Sequence, residues 1–586
     1  MASLRFPVSD ITEHRHEVVI IGAGIAGLYG ALQCRDLDAA VISKVFPTRS
    51  HSVSAQGGTA AALGNIEDDS WEWHFFDTAR GSDYLGDQDA QEVLCREAPA
   101  AMYDLEHLGV PFSRTADGRI LQRQFGGHYG DFGQGPPVHR ACCAADRIGH
   151  VMLQTLYGHC LRHGVRFYSE FFITRLLVEG GVCAGVLAWD IINGGLHLFR
   201  AKAVMFATGG YGRAWIVTTN SFSNTGDGLG LVLKAGLPLE DMEFVQFHPT
   251  GLYPQGILIT EGVRGEGGYL LNAQGERFMR RYTPEKMELA PRDITARSIQ
   301  TEIEEGRGIN GEPYVHLDVS HIGADKIRER LPQVLEMAQK FAGVDATREP
   351  FPVSPTVHYS MGGVPVDIDG RVLSDAQGAK VTGFFAAGEC ACVSVHGANR
   401  LGCNSTLDCC VYGRRVGRTV RDFVGAGADW TEPSREQLAA GVAEVARTLS
   451  ASGPETIHEI RLALRESMTE NCGIFRDEAR LTRQMAVIRE LQERYGHLGV
   501  GYRGLRFNSE IQEAIELHNM LHFSEVVVAS ALARTESRGA HYRTDFRERD
   551  DAGWLKHTLA WRDGSGVRLD YKPVIITRFA PATRAY

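Results

Sequence analysis

Residues 18–33 constrain the fold more than any other stretch. Val18-Val19-Ile20-Ile21 is a short β-branched run, the pattern of a parallel strand buried on both faces. Gly22-Ala23-Gly24-Ile25-Ala26-Gly27 follows at once, and Leu28 to Gln33 reads as a helix. A GxGxxG in this strand-to-helix setting is a dinucleotide-binding turn. Its glycines close the backbone tightly and let a pyrophosphate approach the helix N-terminus. Ala40-Val41-Ile42 supplies the second strand of a βαβ start. Two more strand-to-glycine junctions, Val204 to Gly210 and Gly383 to Glu389, lie far downstream. Together they imply one nucleotide-binding domain interrupted by an insertion.

The insertion is expected over residues 241–354, ending at Pro350-Phe351-Pro352-Val353-Ser354-Pro355, so the nucleotide-binding part comprises residues 1–240 and 355–429. Over residues 430–545, Glu436 to Leu449, Glu455 to Glu470 and Glu478 to Tyr495 carry Ala, Leu, Glu and Arg at helical spacing and read as a helical bundle. Residues 546–586 form a small C-terminal domain with strand-like pieces such as Pro573 to Phe579. The expected class is α/β: a Rossmann-like domain interrupted by an α+β capping domain, then the helical domain and the C-terminal one. A chain of 586 residues has room for these cores at about 150 residues per domain.

Charge and cysteine usage narrow the function. A net charge of −11 argues against nucleic acid as a partner, since duplex binding needs a basic face. It leaves open a small anionic substrate, which feels only the local field. Twelve cysteines include Cys142-Cys143, Cys390/Cys392 and Cys409-Cys410 but no CxxC, and none has zinc or iron–sulfur spacing. They read as free thiols, with no metal site. No signal-peptide core precedes the first strand, and Asp10 and Glu13 argue against a transit peptide. The longest apolar run, Val18 to Leu32, holds four glycines and is too short to span a bilayer.

Two sets of loops carry the chemistry. The first is Phe46-Pro47-Thr48-Arg49-Ser50-His51-Ser52-Val53-Ser54-Ala55-Gln56-Gly57-Gly58. It places His51 where a flavin held by the glycine turn would carry its ring. Thr48, Arg49 and Ser50 offer donors on one side of His51, and Gln56, Gly57 and Gly58 let backbone approach on the other. The usual acidic residue about 20 positions after the glycines is replaced by Ser43-Lys44, a mismatch with a plain NAD site. The second set is Gln246 to Gly251, Thr260 to Gly268, Pro291-Arg292-Asp293, His358 to Gly363 and Val395 to Gly402. Arg and His in short glycine-bounded loops suit a dianion, with arginine giving forked donors to carboxylate. By chemistry alone Glu261 or a histidine would be the base, because arginine titrates above about 12.

These motifs resemble the succinate dehydrogenase and fumarate reductase flavoprotein family of respiratory complex II, more closely on the succinate dehydrogenase side. The likeness extends to Asp77-Thr78-Ala79-Arg80-Gly81-Ser82-Asp83, Phe125-Gly126-Gly127, His139 to Arg147 and Arg534-Thr535-Glu536-Ser537-Arg538-Gly539-Ala540-His541. Ser43-Lys44 also fits it. The resemblance implies an FAD-binding domain with FAD joined covalently through its 8α carbon to His51. Asp227, Glu389, Ser405 and Thr406 become further flavin contacts. It implies that His248, Thr260, His358 and Arg400 hold the carboxylates of succinate or fumarate. Arg292 exchanges the proton, and Glu261 and Arg264 carry it toward solvent. It implies an iron–sulfur subunit and a quinone-reducing membrane anchor as partners. The chain would then sit at the cytoplasmic face of the cell membrane through them. Cys403 and Thr406 depart from the residues usual in the family, which touches local packing only.

Three other readings stay open. Fumarate reductase runs the same equilibrium in reverse with the same residues. L-aspartate oxidase shares the fold without a covalent flavin, and His51 and His358-Tyr359-Ser360-Met361 speak against it. A flavin-binding scaffold has no use for Arg292, Arg400, His248 and His358 together.

Overall fold

In the computed structural model, which describes residues 10–564 and 566–583, the β-branched run lies inside a strand spanning Thr12–Ile21. It sits at the centre of an eight-stranded sheet. Strands Ala39–Ser43 and Leu196–Phe206 pair with it in parallel on either side, and Lys380–Ala386 pairs in parallel with Leu196–Phe206. The widely separated strand-to-glycine junctions therefore meet in one sheet. Val18, Val19 and Ile20 are wholly buried, as strands covered on both faces must be.

The helix Ile25–Gln33 begins inside the glycine cluster, three residues earlier than the sequence pattern indicates. Gly22 explains why: its φ is +110°, and a Cβ there would lie 2.1 Å from the Ala207 carbonyl oxygen. The same helix packs against Asn404–Gly425, where a Cβ on Gly413 would meet the Ala26 backbone at 2.8 Å. Glycine thus brings two helices and a strand to near backbone contact beneath the nucleotide turn.

A second, antiparallel sheet of five strands includes Val245–Leu252 and Phe351–Ser360, paired to each other, and has its own core from Leu252 to Val353. The strand Phe351–Ser360 runs past the expected end of the insertion at residue 354 and delivers His358 to the first domain's cleft.

The helical region starts each helix at a polar cap. Ser434 accepts from the Gln437 amide before Arg435–Ser450, Thr456 from Glu459 before Ile457–Asn471, and Asp477 from Arg480 before Glu478–Tyr495. Glu455 falls outside its expected helix because Thr456 is the cap. The longest helix here, Ser509–Ala533, is buried over most of its surface, so it lacks the broad polar stripe that marks a surface helix in sequence. At the C-terminus, Lys556–Asp563 and Gly566–Pro573 form a hairpin. The strand expected over Pro573–Phe579 stops at Pro573, which has no N–H to donate. Beyond it the Ile575 amide bonds Asp87 and the Phe579 amide bonds Gln88. No described helix is long and apolar enough to cross a membrane.

Candidate active site

A cleft of about 1380 Å³, counted to its mouth, runs from the glycine turn to His51 and His358. Gly22, Ala23, Gly24, Ile25 and Ala26 line one end, with Ser43 and Lys44 beside them. Gly24 caps the helix without a side-chain bond, so the helix N-terminus faces the cleft with amides suited to phosphate. The Ser52 hydroxyl accepts from the Ile25 amide at 3.2 Å and ties the histidine loop to this turn. Ser50, His51, Asp227, Glu389, Ser405 and Thr406 line the rest. This donor set and shape fit FAD.

The remaining loop residues lie elsewhere. Gly27 packs on Gly22, where its Cβ would come within 2.0 Å of the carbonyl oxygen. Thr48 and the exposed Arg49 sit in a short turn that does not line the cleft. Gln56 is buried; its amide donates to the Leu258 carbonyl and accepts from the Thr260 N–H. Gly57 leaves space for the Phe125 ring, and Gly58 offers its carbonyl to the Thr406 hydroxyl at 2.8 Å. The Lys44 ammonium contacts Asp227 at 2.5 Å and Glu516 at 2.9 Å. Burial works against its charge, but these carboxylates hold it above its ordinary value.

His51 is poised as a neutral ring. Burial lowers its pKa to about 4. Its Nδ1 accepts from the Ser221 amide at 3.3 Å, while Nε2 has no hydrogen-bond partner among the described residues.

Beyond His358 the charged groups converge. Arg292 donates through Nε to Glu261 at 2.9 Å and through Nη1 to Gln246 at 3.3 Å. Arg264 lies 3.7 Å from the same carboxylate and also donates to the Glu288 carbonyl. Arg400 is buried, yet its Nε and Nη2 have no acceptor. His248 accepts from the Thr250 amide through Nδ1, which leaves its buried Nε2 without a partner. His248 and His358 stack edge to face with centroids 5.0 Å apart, and the Thr219 hydroxyl meets His358 Nδ1 at 2.9 Å. Thr260 stands at the start of the loop, its hydroxyl accepting from the Gly262 amide.

The electrostatics follow from burial and crowding. Desolvation, then the neighbouring arginines, push His248 well below its ordinary value; desolvation and His248 do the same for His358. Both act as neutral imidazoles. Burial lowers Arg400 to about 9, with Arg292 adding to the effect. Burial favours the neutral form of Glu261, but Arg292 and Arg264 hold it below the usual carboxylate range. Three guanidiniums against one carboxylate leave this cluster at +2, which matches a dianion.

Sequence reasoning passed over Gln246, Ser221, Thr219 and Glu516. Ser221 acts through its backbone and Glu516 arrives from a helix 472 residues after Lys44, so neither left a local signal. Gln246 stood in a quoted motif, next but one to His248, but its partners Arg292 and Asn399 are distant in sequence.

A family model for the FAD binding domain matches residues 17–406, and one described as fumarate reductase flavoprotein C-term matches residues 461–586. The chain is 47% identical over 583 residues to the succinate dehydrogenase flavoprotein subunit of Rickettsia bellii, covering 98% of each. It is 48% identical to the subunit of that name from Coxiella burnetii, covering 97% of each. Among solved structures, an E. coli quinol fumarate reductase chain superposes with a TM-score of 0.92 at 39% identity, covering 98% of this chain and 99% of that one. With both models and relatives matching nearly end to end, the chain belongs to the succinate dehydrogenase and fumarate reductase flavoprotein family.

Proposed function

We propose that this chain is the flavoprotein catalytic subunit of a succinate:quinone oxidoreductase, oxidising succinate to fumarate. The observation that carries the reading is the buried +2 cluster with open donors on Arg400 and His248, set beside a dinucleotide cleft. FAD, when bound, supplies the hydride acceptor. Arg400, His248, His358 and Thr260 hold the two carboxylates through charge-assisted and neutral donors. Arg292 exchanges the proton, and its contact with the ionised Glu261 lets a second N–H proton leave as the first arrives. No free neutral guanidine then has to form. Burial of these groups keeps water out and strengthens their field.

The flavin is joined through its 8α carbon to His51. The Ser221 amide occupies Nδ1, so Nε2 is the nitrogen free to bond, and the lowered pKa keeps it unprotonated. Electrons pass to an iron–sulfur subunit and from there to quinone in a membrane anchor, which holds this chain at the cytoplasmic face of the membrane. The same residues serve fumarate reduction, and partner and quinone set the direction.

Denaturing gels under ultraviolet light test the covalent bond. Protein from its own host should give a fluorescent band near 64 kDa that His51→Ala abolishes. A dark band from yellow protein would overturn the linkage. Succinate-dependent dye reduction tests the activity, and its absence in flavin-loaded protein would overturn the function.

A further inference from the structure

Three residues of the long helix Ser509–Ala533 stand at i, i+3 and i+7, so Glu516, Asn519 and Phe523 share one face. Each meets an element that walls the flavin cleft, and none of the three lines the cleft itself. Glu516 accepts from the Lys44 ammonium at 2.9 Å. Asn519 packs on Gly230, where a Cβ would lie 2.4 Å from the asparagine side chain. Phe523 packs on Gly226, where a Cβ would lie 2.6 Å from the ring. Gly226 caps the helix Asp227–Lys234 and Gly230 lies within it; its first residue, Asp227, lines the cleft, as does Lys44. Glycine at both positions lets the two helices pack closely, so the wall that carries Asp227 has no slack behind it.

Lys44 shows what this backing does. An ammonium has three N–H donors. Those of Lys44 go to the Thr225 hydroxyl at 2.7 Å, to Asp227 at 2.5 Å and to Glu516 at 2.9 Å, which fixes the head group in one orientation. Glu516 is held in turn by the Gln512 amide at 2.8 Å and lies 3.7 Å from Arg461 on the helix Ile457–Asn471. Its side chain is only 5% exposed, so solvent does not stand in for it. With Glu516 the buried lysine is shared between two carboxylates. Without that charge it has Asp227 alone, and Asp227 is drawn to the lysine and away from the cleft. A buried cation that loses a partner is costly, so the wall rearranges.

We propose that Glu516 is a positioning residue for FAD, and that the face formed by Glu516, Asn519 and Phe523 couples docking of the helical domain to flavin loading. The inference rests on the reading of the cleft as an FAD site. Such coupling is reciprocal. The docked helix keeps Lys44 and Asp227 in place for FAD, and bound FAD holds the helix docked. The helical domain thus takes part in cofactor retention, although none of its residues is among those lining the cleft.

The test uses the full-length chain carrying His51→Ala, to which FAD binds reversibly, and titrates FAD into the flavin-free protein by fluorescence quenching. Glu516→Gln keeps the shape and removes the charge. It should raise the FAD Kd roughly tenfold, within the range of about 5–150-fold usual for coupled sites. Lys44→Met should raise the Kd as well. Adding Glu516→Gln to Lys44→Met should cost little more, because the two side chains act as a pair. Hydrogen exchange on the His51→Ala parent reads the coupling without relying on the other variants to fold. FAD should slow the amides of Ser509–Ala533 more than those of the helix Glu478–Tyr495 in the same domain. An unchanged FAD Kd in Glu516→Gln, even with a lowered thermal midpoint, would make Glu516 structural only and overturn its positioning role, as would strictly additive effects of the two substitutions. Equal slowing in both helices would overturn the coupling. If neither the His51→Ala chain nor the wild type takes up FAD, the reading of the cleft falls and takes this inference with it.

Discussion

Two clusters of buried arginine sit in this molecule, and they are finished differently. Near the C-terminus, Arg534 bonds Glu243, Glu536, Thr558 and the carbonyls of Trp554 and Lys556, so all three of its nitrogens are occupied. Arg538 is equally saturated by Glu536, Asp551 and the Asp83 carbonyl. At the substrate side Arg400 has one weak backbone contact and two idle nitrogens, and Arg264 also keeps two idle. Burying a charge is costly unless it is paired. The first cluster meets that cost within the chain and holds the fold. The second leaves it unmet within the chain, and on the proposed reading a dianionic substrate supplies the missing partner.

The largest expected effect attacks the open cluster. Arg400→Met or Arg292→Gln should lower succinate oxidation by about 10²–10⁴-fold. Yet the thermal midpoint of Arg400→Met should stay level or rise, because an unpaired buried charge is gone. Malonate at 100 times its Kd should stabilise the wild type by about 2.7 kcal/mol and leave Arg400→Met unmoved. A large loss of stability in that variant would break the contrast. Next comes the closed cluster. Arg538→Met removes one of the two guanidiniums on Glu536, leaving Arg534, and also takes a partner from Asp551; it should cost up to about 3–5 kcal/mol by urea unfolding, with the KM for succinate intact in the folded fraction. A neutral outcome there would mean that saturation does not mark structural arginines.

The smallest effect sharpens the comparison with a third buried group. His557 bonds Asp241 at 2.6 Å and Asp87 at 3.0 Å, bracing the C-terminal hairpin. Burial opposes its charge, but Asp241 and Asp87 raise it to about 10 from 6.5. A raised folded value means that the stability is whole below pH 6.5 and is lost as pH climbs through about 10. Thermal midpoints should fall across that window in the wild type and flatten in His557→Asn. A flat wild-type profile would show that His557 carries no charge in the folded state.

Much of the fold was legible in the chain. Val18 to Gln33 announced the nucleotide turn because strand period, glycine spacing and helix start are all local. The helices Arg435–Ser450, Ile457–Asn471 and Glu478–Tyr495 were read from their spacing to within two residues at each end, though the cap at Thr456 was not. Ser509–Ala533 was illegible, since a helix buried over most of its surface has little amphipathic stripe to read. So was the path after the last strand, where Asp87 and Gln88 hold the Ile575 and Phe579 amides from nearly 490 residues away. In the site, residue types were legible and pairings were not. Arg292, Glu261 and Arg264 could be named from their motifs, whereas the place of Gln246 between Arg292 and Asn399 required the folded chain.

By itself the sequence determined the nucleotide-binding turn, the identity of the charged groups and the class of substrate they suit, because those rest on residue type and short spacing. Only the tertiary structure decided which of the buried charges are satisfied. Arg538 and Arg400 are the same residue type, each in a glycine-bounded motif. What separates them is whether Glu536 or open space faces the guanidinium, and that depends on loops brought together from across the chain.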